Sequence, residues 1–499
     1  MIRGLARIVA LAALITSAGL VSASAQATGA SGAPGPGDWP SYGHDAQHTF
    51  HGRTTLTVAQ ARLLKRAWFF PTGDAVTATP TVVGGTVFVG SWDGYFYAID
   101  LKTGTRRWKY HLTPQPAVTP YPGENPRNIG SDGGLVTSSA WYEPRTSTHP
   151  NLVIFGGGYT LYALDADNGS LVWSHEYTGR PDLPADPIHD GTRIFSSPVV
   201  YRGTVFIGVD VDGTPGYRGY VVAASVNTGS PVWELQTDTD ATGQFLNDGC
   251  GNSWSSGTLL PKQGVVVFAM ADCNGTNLAP YSESVIALRM SDGTVAWTFK
   301  PRSPNVCDAD FGATANAAVD SAGVVAFLGV GAKNGTYYSL NPHSGRIRWR
   351  TNVVFGGSAG GFIGTTAIDG TRVYGSTALG DFGGPLCDPS NPRDQPLEEP
   401  TAHAFDAVTG KVDWQQSKAA SFGPTTVAGG MTFNGLALNP VVWVRDASTG
   451  AILTQLSLAS GCWSGIATVG DAIVFGTGTS FQGSHDGVSV YTPGGLPPA

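Results

Sequence analysis

The chain has 499 residues, 68 of them glycine and only 13% charged, with a formal charge of −8. Charged residues are at about half, and glycine at about twice, the usage of an average soluble domain, which excludes a coiled coil or a charged disordered chain and suits tight turns between half-buried strands. No basic stripe accompanies the acidic balance, so nucleic-acid backbones and anionic membranes are disfavoured as partners.

The N-terminus has basic residues at Arg3 and Arg7, an apolar run from Ile8 to Val21, and Ala23-Ser24-Ala25 before Gln26. This reads as a secretory signal peptide over 1–25, followed by a Gly/Pro/Ala leader over 26–37. The run is shorter than the roughly 20 residues a membrane span needs, so the expectation is export without a membrane anchor. Residues 38–499 are expected to form one domain. "GHDAQHTFHG" offers His44, His48 and His51, but on an irregular loop with no cysteine partner it is a poor metal site. "LLKRAWFF" (63–70) reads as an outer strand carrying Trp68, with no sheet before it.

From residue 86 a pattern repeats. An Asp-x-x-x-Gly-x-x-x-Trp segment runs Asp100–Gly104–Trp108, Asp165–Gly169–Trp173, Ser225–Gly229–Trp233, Arg289–Gly293–Trp297, Asn341–Gly345–Trp349, Asp406–Gly410–Trp414 and Asp446–Gly450–Thr454. Copies recur about every 40–65 residues, which suits one β-sheet per repeat. Alternation in "TVFVGSWDGYFYAIDLKTGTRRW" gives three strands, and the segments before each copy ("AVTATPTVV", "LVTSSAWY", "IFSSPVV", "SWSSGTLL") supply an inner fourth. "DAIVFGTGTSFQGSHDGVSVYTP" (471–493) has inner strands but no tryptophan, and the Trp68 strand is its missing half. The expected fold is therefore all-β, an eight-bladed β-propeller whose last blade is closed by the N-terminal strand, with seven blades as the alternative. Repeated tryptophans belong to the core, and function is expected where the blades differ.

Three stretches differ on the face where inner-strand loops and second-to-third-strand turns gather: 247–256, 305–316 and 327–345. Asp308 and Asp310 precede an inner strand; near a confined mouth they can serve as a base or hold a divalent cation, or they can cap a solvated loop. Lys333 lies in a small uncharged turn, as an ammonium for an anionic cofactor or as an exposed turn lysine. Trp254 and Trp463 sit where inner strands begin and offer flat platforms, or merely line the channel. There is no Gly-x-Ser-x-Gly turn for nucleophilic hydrolysis. Of the five cysteines, Cys250 and Cys273 flank the turn Pro261–Gly264 symmetrically and are expected to bridge; Cys307 with Cys387 is the further pairing, leaving Cys462 free.

The order of "YSESVIALRMSDGTVAWTFK", "CDADFGATAN" and "GAKNGTYYSLNPHSG", with "DWPSYGHDAQHT" at 38–49, resembles the pyrroloquinoline quinone (PQQ) dehydrogenases, above all their polyvinyl-alcohol dehydrogenase branch. The resemblance implies PQQ, with Ca²⁺ as a possible companion. It implies Asp308 as base, Asp310 as its neighbour, and Lys333 as the quinone contact. The family's calcium-binding Glu falls at Thr214, with Asp210 and Asp212 nearby and Asn252 as a further metal candidate; the base of its Gly-Asp-Asn turn falls near Thr276-Asn277, and its adjacent cysteine pair has no counterpart. No haem domain is recognised, so electrons would pass to a separate acceptor. The sequence therefore points to a secreted quinoprotein that oxidises a small or polymeric alcohol to a carbonyl; the alternatives are a non-catalytic propeller that binds a ligand or protein, and an enzyme with other chemistry on the same scaffold.

Overall fold

Each repeat turns on its first and fifth residues. Asp100 Oδ1 accepts the Thr103 N–H and hydroxyl, both at 2.9 Å, and Gly104, at φ 69°, donates its N–H to the Asp100 carbonyl at 2.8 Å. A left-handed backbone there favours glycine, which has no Cβ to clash. The flanking alternating segments pair antiparallel, Thr86–Gly90 with Tyr95–Asp100 and the latter with Arg106–His111, and Thr81–Val83 joins as the innermost strand. The computed structural model describes residues 32–113, 136–178, 192–211, 216–272, 279–301, 310–354, 356, 360–379, 400–479 and 486–499. The signal-peptide reading and the first part of the leader lie outside them.

Eight four-stranded sheets follow, numbered here as blades 1–8 by their inner strands: Thr81–Val83, Trp141–Glu143, Val199–Tyr201, Thr258–Leu260, Asn316–Val319, Ala367–Ile368, Thr426–Ala428 and Ala467–Val469. Blade 8 takes its outer strand from the N-terminus, Leu64–Pro71 pairing antiparallel with Gly487–Pro493. The protein is thus an eight-bladed β-propeller, and the seven-blade alternative falls.

The tryptophans join blades. The indole of each lies against the motif glycine of the next blade: Trp68 on Gly104, Trp108 on Gly169, Trp173 on Gly229, and so on to Trp414 on Gly450, each at a place where a Cβ would collide with the ring. Its N–H donates into the same turn, as from Trp68 to Leu101 O at 2.8 Å and from Trp297 to Pro342 O at 3.0 Å. Blade 7 has Thr454 at this position. There Leu56, Ala61 and Leu64, in and beside a short 3-10 helix at Val58–Leu63, pack with Met431, Phe433 and Phe475.

Nearer the axis, hydroxyls join the blades a second time. Thr79 N–H donates to Ser139 Oγ at 2.8 Å, Ser139 N–H to Ser197 Oγ at 3.0 Å, and Ser197 N–H to Ser256 Oγ at 2.9 Å. Ser256 N–H then donates to Thr314 Oγ1 at 2.9 Å, and Thr314 N–H to Thr365 Oγ1 at 3.1 Å. This collar runs from blade 1 to blade 6.

Below it the segment around 39–55 crosses the ring. Its carbonyls take N–H groups from inner strands: Trp39 from Val82 at 2.8 Å, Pro40 from Tyr142 at 2.8 Å, Ala46 from Leu259 at 2.9 Å, Gln47 from Ala317 at 2.9 Å, Thr49 from Ile368 at 2.8 Å and Phe50 from Val427 at 2.9 Å. Inner edges that would otherwise be unpaired are thereby covered. His48 in this segment is fully buried, with both ring nitrogens 2.8 Å from carbonyls, those of Tyr42 and Gly257, so it anchors the segment. No helix among the described residues is long and apolar enough to cross a membrane.

Candidate functional site

Blade 5 brings two distant segments together. Asp310 precedes its inner strand, and Lys333 lies in the turn between Val325–Gly331 and Thr336–Leu340. The Lys333 N–H donates to the Asp310 carbonyl at 2.9 Å, and the Lys333 ammonium stands 2.9 Å from Asp310 Oδ1. Side-chain exposure is 9% for the lysine and 1% for the aspartate, a degree of burial that charges tolerate only when paired and hydrogen-bonded. Asp310 Oδ2 accepts a further bond at 3.1 Å from the Asp272 N–H of blade 4. Behind Asp310, Phe311 is buried between Phe299 and Tyr338.

Trp254, from the loop into blade 4, completes this group. Its ring centroid is 5.3 Å from the Lys333 ammonium, within cation–π range. The indole extends over Gly312 of blade 5, where a Cβ would stand 3.0 Å from its Cη2. Glycine leaves the indole its room. A half-buried aromatic face with a cation beside it suits a planar anionic group, so these residues fit a quinone carrying carboxylates.

Trp463 lies elsewhere. It occupies the matching position in blade 8, four blades round the ring, donates its indole N–H to Ala437 O at 2.9 Å and meets Phe422 edge-on at 5.3 Å.

Asn252 and Asp210 are near one another. Asn252 Oδ1 accepts the N–H of Val211 at 3.0 Å, and its amide donates to Gly249 O at 2.7 Å. Asp210 exchanges backbone bonds with Arg193 at 2.7 and 2.9 Å. Among the described residues no group of three or more His, Cys, Asp or Glu could hold a metal ion. Calcium takes six to eight oxygens, and the described donors do not fit it.

Asp308, Asp212 and Thr214 lie outside the described residues, as do Cys273, Cys307 and Cys387. Cys250 is buried and disulfide-bonded; neither expected pairing can be followed to its second cysteine. Cys462 is free, and burial pushes its thiol up to about 12.

Sequence reasoning passed over two residues here. Asp272 matters through its backbone, which no side-chain pattern signals. Asp238 is fully buried beneath the loop leading to Asn252, accepts the Asp248 N–H at 3.0 Å, and is pushed up to about 6 by burial.

The family described as "Glucose/ethanol/alcohol dehydrogenase, beta-propeller domain" matches residues 39–352, and that described as "Outer membrane protein assembly factor BamB" matches residues 333–491. The polyvinylalcohol dehydrogenase of a Pseudomonas species is 24% identical over 382 residues, covering 68% of this chain and 55% of that protein. The polyvinylalcohol dehydrogenase of Sphingopyxis sp. (strain 113P3) is 24% identical over 406 residues, covering 73% and 56%. The chain thus spans about half the length of the curated relatives it matches. The solved quinohemoprotein alcohol dehydrogenase from Comamonas testosteroni shares the fold with a TM-score of 0.70 at 18% identity, covering 94% of this chain and 82% of that one.

Proposed function

The chain belongs to the glucose/ethanol/alcohol dehydrogenase β-propeller family, and from that premise we propose that it is a quinoprotein oxidoreductase that binds PQQ at the channel mouth and oxidises an alcohol to a carbonyl. The observation that carries this reading is the Lys333–Asp310 pair beside the face of Trp254, drawn together from blades 4 and 5. Bound PQQ would supply the hydride acceptor.

The chain's own residues have separable tasks. Trp254 offers a flat apolar face, and Lys333 places positive charge at its side. Asp310 holds that ammonium in place. Asp308, carried over by resemblance, is the base that takes the hydroxyl proton. No step passes through calcium. The substrate is a small or polymeric alcohol, as the names of the polyvinylalcohol dehydrogenase relatives suggest, and electrons leave to a separate acceptor. We further assign residues 1–25 to an export signal, 26–37 to a leader, 38–499 to the propeller domain, and the Cys250 bridge to Cys273.

Titrating the full-length protein with PQQ, followed by absorbance and by dye reduction with a panel of alcohols, tests this. Saturable binding and alcohol-dependent reduction are expected; absence of binding would overturn the proposal. The match of residues 333–491 to an assembly-factor propeller favours a second reading, a non-catalytic binding propeller, and binding without turnover on any alcohol would support it.

A further inference from the structure

His48 faces more acceptors than a neutral histidine can serve. Its Nδ1 stands 2.8 Å from the carbonyl oxygen of Tyr42, and its Nε2 2.8 Å from that of Gly257, at the entry to blade 4. A neutral imidazole has one N–H and one lone pair, and a carbonyl oxygen can only accept, so in either tautomer a lone pair is left facing an oxygen. The imidazolium, with two N–H groups, meets both. The residue is fully buried and its loop leaves it little room to turn: a Cβ on Gly43 would stand 2.7 Å from the His48 Cα, and Gly43 O accepts the Phe50 N–H at 2.9 Å.

Two titratable groups of the same segment face this ring. Tyr42, whose own ring packs on it at 5.4 Å between centroids, is pushed up to about 12 by burial and stays neutral. Asp45, despite its burial, is held below the usual carboxylate range by hydrogen bonds from His44 and Thr49, and so supplies a negative charge nearby. From blade 4 comes the Gly257 carbonyl. Burial draws His48 toward its neutral form, while both carbonyls and Asp45 favour the charged one. The geometry decides for the charge: hydrogen bonds from an ionised donor are about twice as strong as neutral ones, two are made, and loss of a proton turns one of them into a contact between lone pairs.

We propose that His48 is a buried imidazolium that latches the segment around 39–55 to blade 4, and that the latch loosens when its second proton leaves. The segment needs such a tie, because His44, His48 and Phe50 hold left-handed backbones, with φ 77°, 53° and 47°, which side chains other than glycine adopt only at a cost. With both protons in place, one cation joins the Tyr42 carbonyl of the segment to the Gly257 carbonyl of the ring. In alkali one of these bonds is lost, and the adjoining links, Leu259 N–H to Ala46 O and Ala317 N–H to Gln47 O, lose their anchor. The latch is independent of the quinone reading.

Three measurements test the latch on the full chain. Neutron diffraction from wild-type crystals at pH 8, where an ordinary histidine carries one ring proton, should show a hydrogen on each ring nitrogen of His48; a bare nitrogen would overturn the proposal. The folded chain then keeps a proton that the unfolded chain releases above about pH 6.5, so the contribution is whole below that pH and is lost as pH rises toward the titration of the folded histidine. Against His48→Gln, which does not titrate, the wild-type advantage in the unfolding equilibrium constant should shrink about tenfold per pH unit from 6.5 upward. A flat profile, or an advantage that shrinks in acid instead, would count against the imidazolium. At pH 7, hydrogen exchange at the Leu259 and Ala317 amides should quicken about tenfold in the variant, the effect of losing one hydrogen bond to a charged group, while Val82, bonded to Trp39 at the far end of the segment, is unchanged. Exchange equal to wild type at Leu259 and Ala317 would mean that nothing is latched. Should the variant fail to fold, the neutron result decides alone.

Discussion

Trp173 of blade 2 rests on Gly229 of blade 3: a Cβ at position 229 would stand 2.5 Å from the indole Cζ3, and the indole N–H donates to Val226 O at 2.9 Å. Glycine here answers to two demands, a φ of 70° and the flat contact. Gly229→Ala is expected to lose about 2–4 kcal/mol in urea unfolding, strain and overpacking together. Gly203→Ala separates the two. Gly203 has φ 81° but its nearest neighbour would be 3.8 Å away, so that variant should lose only about 1 kcal/mol.

The Lys333–Asp310 pair should behave as a unit. Lys333→Met or Asp310→Asn leaves a buried charge without its partner and should cost about 3–5 kcal/mol, while the double variant should cost clearly less than the sum. A double-mutant cycle by denaturant unfolding measures this coupling. Additive losses would mean the two groups do not feel each other.

His403 makes stability fall with acid. It is fully buried, its Nδ1 faces the Gln415 amide at 3.0 Å and its Nε2 the Thr377 hydroxyl at 3.1 Å, and burial holds it down at about 3. Because the folded chain protonates it less readily than the unfolded chain, its contribution is present above about pH 6.5 and is lost as pH falls toward 3. Measured from pH 7 to pH 4, wild type should lose about 2–4 kcal/mol more than His403→Gln.

Asp238 acts in the opposite sense. Burial raises it from 3.8 to about 6, so the folded chain holds the proton more tightly than the unfolded one, and the associated stability is present in acid and lost as pH rises through this window. Asp238→Asn should match wild type near pH 4 and be more stable near pH 8, by about 1–2 kcal/mol. Thermal unfolding at the two pH values checks it.

The ring was legible because each blade is built from contacts local in sequence. Asp100, Gly104 and Trp108 sit at constant spacing, so one strand-turn-strand unit announces itself seven times, and the orphan strand at Trp68 fills the one sheet that lacks an outer edge. The collar was not legible. "TATPT", "TSSA" and "WSSG" read as strand beginnings, but a bond from Ser197 N–H to Ser256 Oγ crosses between blades, and loops of varying length erase any period. "GHDAQHTFHG" likewise shows histidines, whereas its carbonyls do the binding. In the site, Asp310, Lys333 and Trp254 stand out by breaking the repeat. Trp463 breaks it just as plainly, and only the blade count shows that it stands four blades round the ring.

The pairing of Leu64–Pro71 with Gly487–Pro493 has a bearing on synthesis. The strand at 64–71 must wait for the one at 487–493, made long after it, and until then the growing stack of blades has two open edges ready to pair with other chains. A chain that stops short of residue 487 loses more than its final strand: with no partner for its beginning, it remains an unclosed arc.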